Sequence, residues 1–163
     1  MSGAADKAAL VRQIIAQLDA ELEGYARSAR TAHAEATHEQ SKAENKYDTR
    51  GLEASYLAHG QSRLVAATQQ ARQEFAALAL RDFSPHDPVE LGALVEIEGS
   101  GGRSVYFIGP RAGGTEVVLA KREVLVITPE SPLGQELLGK KQGDCWQLAL
   151  GGARGKYRVL SVM

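Results

Sequence analysis

The sequence predicts an α+β protein in which a long antiparallel α-helical coiled-coil hairpin precedes a small domain of short strands around one short helix. Composition changes sharply near residue 82. The stretch from Asp6 to Arg81 contains no proline and three glycines, whereas all five prolines and most of the valines follow it. Apolar residues repeat at helical spacing before this point and at strand spacing after it. The chain therefore contains two regions of different structural class.

The first helix is predicted by a heptad pattern. Its apolar positions are separated by steps of four and three residues in alternation, which is the spacing of a coiled-coil seam. Ala, Gln, Glu, Arg and Leu dominate this stretch, and all of them favour helix. The seam changes from Ile and Leu to Ala along its length, so a partner helix can approach closely at its far end. The residues of the seam are Val11, Ile15, Leu18, Leu22, Tyr25, Ala29, Ala32 and Ala36.

A second helical stretch keeps roughly the same period, and the pattern lapses between the two, over 44–51. We therefore expect helices over about 6–44 and 52–81, which form a hairpin domain over 1–82 with its tip near 45–51. The alternative is a coiled-coil dimer joined to an interaction domain. Two helices joined by a short break favour folding back within one chain, and hence a monomer. The second seam consists of Leu57, Leu64, Ala67, Ala71, Phe75 and Leu78.

The linker is predicted at 83–88, because Ser84-Pro85 and Asp87-Pro88 disfavour helix. The remaining residues, 89–163, contain short runs of β-forming residues separated by glycine turns. About five or six strands around one short helix would make a small α+β domain. The runs are 94–98, 104–108, 115–120, 124–127, 144–150 and 156–162.

The overall composition excludes several classes of function. The chain has 163 residues and a net charge of −1, so no global positive field attracts nucleic acid or an anionic membrane. A single cysteine rules out an internal disulfide and a cysteine metal cluster. The N-terminus lacks the apolar core of a signal peptide, and no apolar run approaches the length of a membrane span. We therefore expect a cytoplasmic protein that binds no membrane.

The isolated reactive residues do not form a recognisable catalytic motif. The four histidines lack metal-ligand spacing, and no glycine pair belongs to a phosphate-binding loop. Cys145 has no histidine near it in the sequence, so we expect a buried core thiol. Trp146 and Tyr157 are expected to be core aromatics of facing strands.

The most distinctive stretch runs from Thr128 to Asp144. It contains two prolines, three glycines and three leucines at near-helical spacing. This pattern predicts a shaped loop, a helix of one or two turns and a turn into a strand. Leu137 and Leu138 are expected in the core. Ser131-Pro132, with Glu130 before it, is expected to form an exposed rigid turn that could meet a partner.

A set of carboxylates surrounds the predicted tip of the hairpin, namely Glu44, Asp48 and Glu53. Turns and helix ends of soluble proteins are commonly charged, so an ordinary solvated turn is one interpretation. The functional interpretation is that two carboxylates delivered into another enzyme's site help to hold a Mg²⁺ ion and orient a water. Lys42, Lys46 and Arg50 flank the set and partly neutralise it.

Residues 127–144 resemble the signature of the C-terminal domain of GreA/GreB transcription elongation factors. That signature reads approximately I-S-x-x-S-P-hydrophobic-G-x-A-L-hydrophobic-G-K-x-x-G-D. Most of it is present here as Ile127-Thr128-Pro129-Glu130-Ser131-Pro132-Leu133-Gly134, Leu137-Leu138-Gly139-Lys140 and Gly143-Asp144. The resemblance covers roughly 89–163, and it implies an FKBP-like α+β domain preceded by a long antiparallel coiled coil.

The resemblance also implies a partner and an activity. Members of the family bind bacterial RNA polymerase: the C-terminal domain docks at the rim of the secondary channel, and the coiled coil enters it. Acidic tip residues then help to hold a second Mg²⁺, which stimulates the polymerase to cleave backtracked RNA. On this basis the tip carboxylates are Asp48 with Glu53 or Glu44, Asp48 and Glu53 share a metal with the polymerase, and Glu130, Ser131 and Pro132 bind the polymerase.

The tip departs from the family pattern, which is approximately G-D-L-x-E-N-A-E-Y. Asp48 stands for the family's Asp, but the position three residues later is Gly51, and the next acid is Glu53, five residues on. The resemblance therefore leaves two activities open: stimulated cleavage, or occupation of the channel without cleavage. In either case the chain is an accessory factor and not an enzyme. The resemblance further implies that the chain has no cofactor of its own, contacts RNA only indirectly and has no DNA-specific binding.

Overall fold

The structure is a computed structural model, and it describes the backbone of residues 3–37, 50–150 and 152–163. Within these ranges, the side chains of 36–37, 50–61, 150 and 153 are outside the description. The described chain begins with two long helices, α1 (Gly3–Thr37) and α2 (Arg50–Ala76), and continues into six strands and one short helix. The α+β class and the order of long helices before a mixed sheet are as predicted. None of the described helices combines the length and apolarity needed to cross a membrane.

All six predicted strand regions are confirmed, and they form one sheet in the order β3-β4-β2-β1-β6-β5. Neighbouring strands are antiparallel except β2 and β4, which are parallel. After β2 the chain passes to β3 at the edge of the sheet, and it then turns back into β4, which lies between β3 and β2. Short helix α3 (Pro132–Leu137) joins β4 to β5. The strands are β1 (Leu94–Gly99), β2 (Gly102–Ile108), β3 (Glu116–Leu119), β4 (Arg122–Ile127), β5 (Cys145–Leu150) and β6 (Ala153–Val162).

One face of the sheet packs against α3. Residues alternate between the two faces of a strand, and β1, β2, β4, β5 and β6 each contribute side chains from one face to this layer. Leu137 and Leu133 of α3 are buried against it. Trp146 of β5 is the cross-strand partner of Tyr157, and their rings are stacked with centroids 5.6 Å apart, as predicted for core aromatics. The other buried members of this core are Val89, Ala93, Val95, Ile97, Ile108, Ile127, Val159 and Val162.

Two sequence-based expectations about this layer are wrong. Cys145 is exposed, because Trp146 takes the inward position of β5 and the alternation of the strand turns its neighbour outward. Leu138 is 37% exposed, because it is the C-cap of α3 and lies outside the buried side of that helix, which Leu133 and Leu137 occupy.

The ends of the long helices belong to the same compact unit as the sheet. This unit consists of Met1–Ile15 and Glu74–Met163. Within it, Leu10 and Ile14 are fully buried and Phe75 is 1% exposed. The Phe75 ring and the Val126 side chain meet at Gly109, where an added Cβ would lie 2.8 Å from Val126 Cγ1 and 2.9 Å from Phe75 Cζ. A glycine at this position therefore allows the ring to reach the β2 end of the sheet.

Helix α2 ends at Ala76, five residues before its predicted end at Arg81. The residues after Ala76 are held by contacts with α1 in place of helical hydrogen bonds. The Lys7 ammonium donates to the Arg81 carbonyl oxygen and lies 4.5 Å from the centroid of the Phe83 ring. Lys7 is fully buried, and this burial lowers the pKa of its ammonium while the Asp82 carboxylate opposes the shift. These long-range contacts hold the chain after α2 in a non-helical path, which the heptad pattern alone does not predict.

Side-chain interactions also fix the predicted linker. The Arg81 guanidinium lies 3.8 Å from the Phe83 ring centroid and forms ion pairs with Asp87 and Glu90 at 3.1 and 2.9 Å. The Ser84 backbone N–H donates to the Asp87 carboxylate, and this bond, with the Arg81 partner, holds the pKa of Asp87 below its usual range. The predicted linker is therefore an ordered part of the sheet-containing unit.

The second compact unit is Ala16–Gln73. Arg72 of α2 forms an ion pair with Asp19 of α1, which places a late residue of one helix beside an early residue of the other, as in an antiparallel pair. Leu18 and Ala32 of the predicted first seam are buried. In the second seam Ala71 is buried, but Leu64 is 49% exposed and Ala67 is exposed, and Thr68 takes the inward position.

The first seam also shifts in phase near its start, since the fully buried residue is Ile14 and Ile15 is only half-buried. A heptad pattern gives the period of a helix reliably, but a shift of one residue changes which side chain faces inward. The compact units divide the chain within both helices, whereas composition suggested a boundary at 82. Most of the predicted tip, 45–49, lies outside the described residues.

Candidate functional site

The loop that begins α3 is held by hydrogen bonds of the Ser131 side chain, and the Gln135 side-chain amide also donates to the Glu130 carbonyl oxygen at 3.1 Å. The Ser131 hydroxyl donates to the Thr128 carbonyl oxygen at 2.8 Å and accepts from the Gly134 backbone N–H at 3.0 Å. Ser131 has extended backbone and is the N-cap of α3, and Pro132 occupies the first helical turn. Both residue types are preferred at these positions, because serine satisfies a free N–H and proline has none to satisfy.

Gly134 lets this loop fold back tightly on α3. It is buried, and a Cβ at this position would lie far inside van der Waals contact of the Thr128 carbonyl oxygen. The same Thr128 oxygen accepts the backbone N–H of Ser131 at 3.1 Å, so it cannot move without breaking the turn. The requirement for glycine is steric, and it explains why this residue occurs inside a helix.

The far end of α3 is joined to the start of the domain. Gly139 has a positive φ of 81°, a conformation that favours glycine just after a helix. Its N–H donates to the Val89 carbonyl oxygen at 2.9 Å, and the Val89 N–H donates to the Lys140 oxygen at 2.8 Å. This pair of bonds holds two exposed leucines, Leu91 and Leu138, on segments that are tied to each other.

The three predicted docking residues play different parts in this loop. Glu130 and Pro132 are exposed, and Ser131 is half-buried with its hydroxyl engaged on both sides within the loop. Of the three, Glu130 and Pro132 are therefore the accessible residues, and Ser131 holds the loop that carries them. Leu91 and Leu138, which the sequence pattern does not mark as docking residues, are 42% and 37% exposed. We call Glu130, Pro132, Leu91 and Leu138 the α3 surface.

The α3 surface contains both charged and apolar exposed side chains. It combines one carboxylate, a rigid proline and two aliphatic side chains, which suits contact with another protein. Among the described residues, no group of three or more His, Cys, Asp or Glu side chains is arranged to hold a metal ion. Of the predicted tip carboxylates, Asp48 and Glu44 lie outside the described residues, and Glu53 falls within α2 at a position whose side chain is not described.

Replacing Ser131 by alanine should lower the stability of the domain by about 1 kcal/mol, the usual cost of losing an N-cap. The Gly134 N–H and the Thr128 oxygen both lose their hydroxyl partner in this variant. Urea unfolding followed by circular dichroism measures the change. Glu130→Gln is the matched control, because its side chain is exposed, and it should unfold at the wild-type midpoint. Equal stability of Ser131→Ala and wild type would contradict the cap.

The sequence signature also identifies the domain independently of its geometry. The family model described as "Transcription elongation factor, GreA/GreB, C-term" matches residues 84–163. This range begins within the ordered linker and includes all six strands and α3. No curated protein matches the chain at a significant level.

Several solved structures are similar to the chain. One Gfh1 structure is 25% identical over 91% of this chain and 92% of its own, with a TM-score of 0.39. The GreA factor homolog 1 (Gfh1) of Thermus thermophilus is 18% identical over 91% and 94%, with a TM-score of 0.38. Thermus aquaticus Gfh1 is 19% identical over 98% and 95%, with a TM-score of 0.37. At these TM-scores the likenesses add no weight to the assignment.

The assignment rests on the family match together with the physical roles of the signature residues. Ser131 caps α3, Pro132 begins it, and Gly134 and Gly139 occupy positions that favour or require glycine. Residues 84–163 are therefore a GreA/GreB C-terminal domain, and through this domain the chain belongs to the GreA/GreB family of transcription elongation factors.

Proposed function

We propose that this chain binds bacterial RNA polymerase at its secondary channel and stimulates Mg²⁺-dependent cleavage of backtracked RNA. The observation that carries the proposal is the GreA/GreB C-terminal domain over 84–163. The chain acts as an accessory factor in this proposal, because the polymerase performs the cleavage. The C-terminal domain supplies the affinity, and the predicted tip from Glu44 to Glu53 supplies the carboxylates.

Docking is assigned to the α3 surface. Pro132 and Glu130 are exposed on a loop whose backbone is held by Ser131, so little conformational entropy is lost when a partner binds them. Leu138 and Leu91 supply exposed apolar area at the other end of α3, on segments joined by the Val89 and Gly139 hydrogen bonds. An exposed carboxylate such as that of Glu130 pairs well with an Arg or Lys of the partner, which gives specificity and a salt-dependent association rate.

Cleavage is assigned to Asp48 acting with Glu53 or Glu44. Carboxylate oxygens are the ligands that Mg²⁺ prefers, so the donor chemistry suits a metal that the polymerase already holds in part. The role of these side chains is to add negative oxygen ligands at the polymerase active site and to orient a water. The chain needs no resident metal for this role.

A second candidate function is occupation of the channel without cleavage. The observation that favours it is Gly51, which stands three residues after Asp48 where the family pattern has its second acid. Both candidates share the docking step, and they differ only in what the tip does after entry. Measurements of binding and cleavage made on the same preparations therefore separate them.

The test uses backtracked elongation complexes with Mg²⁺ and Asp48→Asn. The first candidate predicts faster release of the RNA 3′ end by wild type, and a loss of about tenfold or more in the variant, which corresponds to about 1.4 kcal/mol of transition-state stabilisation. Asp48→Asn should keep its affinity for polymerase. Glu130→Gln should weaken affinity, and it should cleave as wild type does once the polymerase is saturated.

Each other outcome has a definite meaning. Binding without any stimulated cleavage by wild type supports channel occupation and contradicts the first candidate. Cleavage that persists fully in Asp48→Asn removes the role of this residue. Failure of wild type to bind polymerase contradicts both candidates and leaves the coiled-coil dimer, for which the mass in solution would exceed the 17.4 kDa of one chain.

A further inference from the structure

The face of β5 and β6 opposite the aromatic core carries a row of positive charges. Gly155, Tyr157 and Val159 of β6 lie on the core side, so the residues that precede each of them in the strand lie on the other side. Three of these alternate positions of β6 are cationic. They are Arg154, Lys156 and Arg158, all exposed, and we call them the β6 stripe.

Arg154 and Lys156 of the β6 stripe have no acidic register partner on β5, and Arg158 alone lies opposite a carboxylate, that of Glu98 on β1. None of the three side chains forms an ion pair with a described carboxylate. The nearest acid along the sheet is Glu98 of β1, whose register partner is Arg158. Glu98 lies 3.7 Å from the Arg103 guanidinium of β2, which offsets its charge. The stripe is therefore a local positive field on a chain whose net charge is −1.

The neighbouring strand leaves space beside the stripe. The register partners of Arg158, Lys156 and Arg154 on β5 are Cys145, Gln147 and Ala149, which are exposed and small or neutral. A cavity of about 710 Å³ is lined by Lys156, Arg158, Cys145 and Gln147, by Glu98 at the end of β1, and by Trp146 and Tyr157, so it reaches both faces of the strand pair. A second cavity of about 360 Å³ includes Arg154 and shares Gln147. β5 is the edge strand of the sheet, so the surface formed by the exposed faces of β5 and β6 has no neighbouring strand beyond β5.

The geometry of the stripe suits an extended chain of anions. Alternate residues of a strand are separated by about 6.6 Å, so the three cations span about 13 Å along β6. Among the described side chains of this face of β5 and β6 between 145 and 158, none is a large apolar group. Stable protein interfaces are centred on apolar or aromatic anchors, and contacts to phosphate need only cations and polar groups.

We propose that the β6 stripe binds single-stranded nucleic acid through its phosphates, without reading the bases. Arg154, Lys156 and Arg158 each contact one phosphate, and Gln147 donates from the adjacent strand. Trp146 and Tyr157 line the larger cavity but stack on each other and pack against the core, so the proposal assigns binding to the phosphate contacts and none to base stacking. This inference goes beyond the polymerase proposal and does not depend on it, because the stripe and the α3 surface share no residue.

The test measures fluorescence anisotropy of a labelled single-stranded oligouridylate with the full chain. Three phosphate contacts predict that the logarithm of the association constant falls with the logarithm of salt concentration with a slope of about −2. Arg154→Gln/Lys156→Gln/Arg158→Gln should bind at least about tenfold more weakly at low salt, with a slope near zero. All three side chains are exposed, so circular dichroism should show a wild-type fold and melting temperature.

The matched control is Arg12→Gln/Lys121→Gln/Lys141→Gln, which removes the same charge from exposed positions elsewhere. This control should bind oligouridylate as wild type does. Equal loss in both triple variants would show a general charge effect and overturn the site, as would wild-type binding by the stripe variant. If polyglutamate displaces the oligouridylate at lower concentration than unlabelled oligouridylate does, the stripe serves an acidic protein segment and the proposal is wrong.

Discussion

Replacing Gly134 by alanine should strongly destabilise the sheet-containing unit, although the change adds only one methyl group. The new Cβ would overlap the Thr128 carbonyl oxygen and lie 2.8 Å from the Ser131 hydroxyl oxygen. The first of these atoms is backbone and the second is the N-cap, so neither can move without opening the turn. Strained insertion of this kind typically costs about 1–3 kcal/mol, and loss of the cap adds about 1 kcal/mol.

The measurement is urea unfolding of Gly134→Ala followed by circular dichroism. Gly24→Ala is a control with the same chemical change and the opposite expected sign. Gly24 lies inside α1, and a Cβ there would have no neighbour within 4 Å. Alanine inside a helix should therefore raise stability by about 0.5–1 kcal/mol. A Gly134→Ala variant as stable as wild type would contradict the steric clash between an added Cβ and the Thr128 carbonyl oxygen.

Gly134→Ala also connects the fold to the proposed docking. If the turn opens, Glu130 and Pro132 lose the backbone that presents them, and polymerase affinity should fall even at temperatures where the variant remains folded. Glu130→Gln tests the same surface with the turn intact. Weaker affinity in both variants would support the α3 surface as the docking site, and weaker affinity in neither would exclude it.

Replacing Phe75 by alanine should cost about 3–5 kcal/mol, the usual range for removing a buried aromatic side chain. Phe75 is 1% exposed and lies in the sheet-containing unit, with its ring against Gly109. Most single domains are stable by only about 5–15 kcal/mol, so the variant should unfold at much lower denaturant concentration. Phe75→Leu should lower the free energy of unfolding by clearly less than Phe75→Ala does, because leucine retains most of the apolar volume of the side chain.

A double-mutant cycle makes this prediction specific to the contact between Phe75 and Gly109. Gly109→Ala in the wild-type background should destabilise, because its Cβ would lie 2.9 Å from the Phe75 ring and 2.8 Å from Val126. In the Phe75→Ala background the same methyl group enters the cavity left by the ring. The cost of Gly109→Ala should then be smaller, with a coupling of about 0.5–3 kcal/mol between the two changes. Additive effects would contradict the contact.

Local signals in the sequence were sufficient to predict the elements themselves. Ser131 and Pro132 predict the start of a helix because capping depends on neighbours within one turn. The six strands were predicted because alternation and glycine turns are also local. The family signature belongs to the same category, since its serine, proline and glycines are required by one loop and one short helix. These residues explain why the fold and the C-terminal domain could be identified from the amino-acid sequence.

Local signals could not predict which side of an element faces inward when two neighbouring residues compete. Leu64 is more apolar than Thr68, yet Thr68 is buried. Cys145 is next to Trp146, and the larger aromatic residue takes the inward position. The pairing of β6 in the sheet likewise places Arg154, Lys156 and Arg158 on the exposed face of the strand. The row of positive charges is therefore visible only in the tertiary structure.

The sequence by itself therefore determined the α+β class, the order of the elements and the loop from Thr128 to Gly134, because each depends on interactions within a few residues. Only the tertiary structure decided where α2 ends, because Lys7 reaches the Arg81 carbonyl across 74 residues of chain. It also decided that Leu91 and Leu138 lie exposed on joined segments and that the β6 stripe is open to solvent. Burial and strand phase are set by packing between distant segments, and no local pattern contains that information.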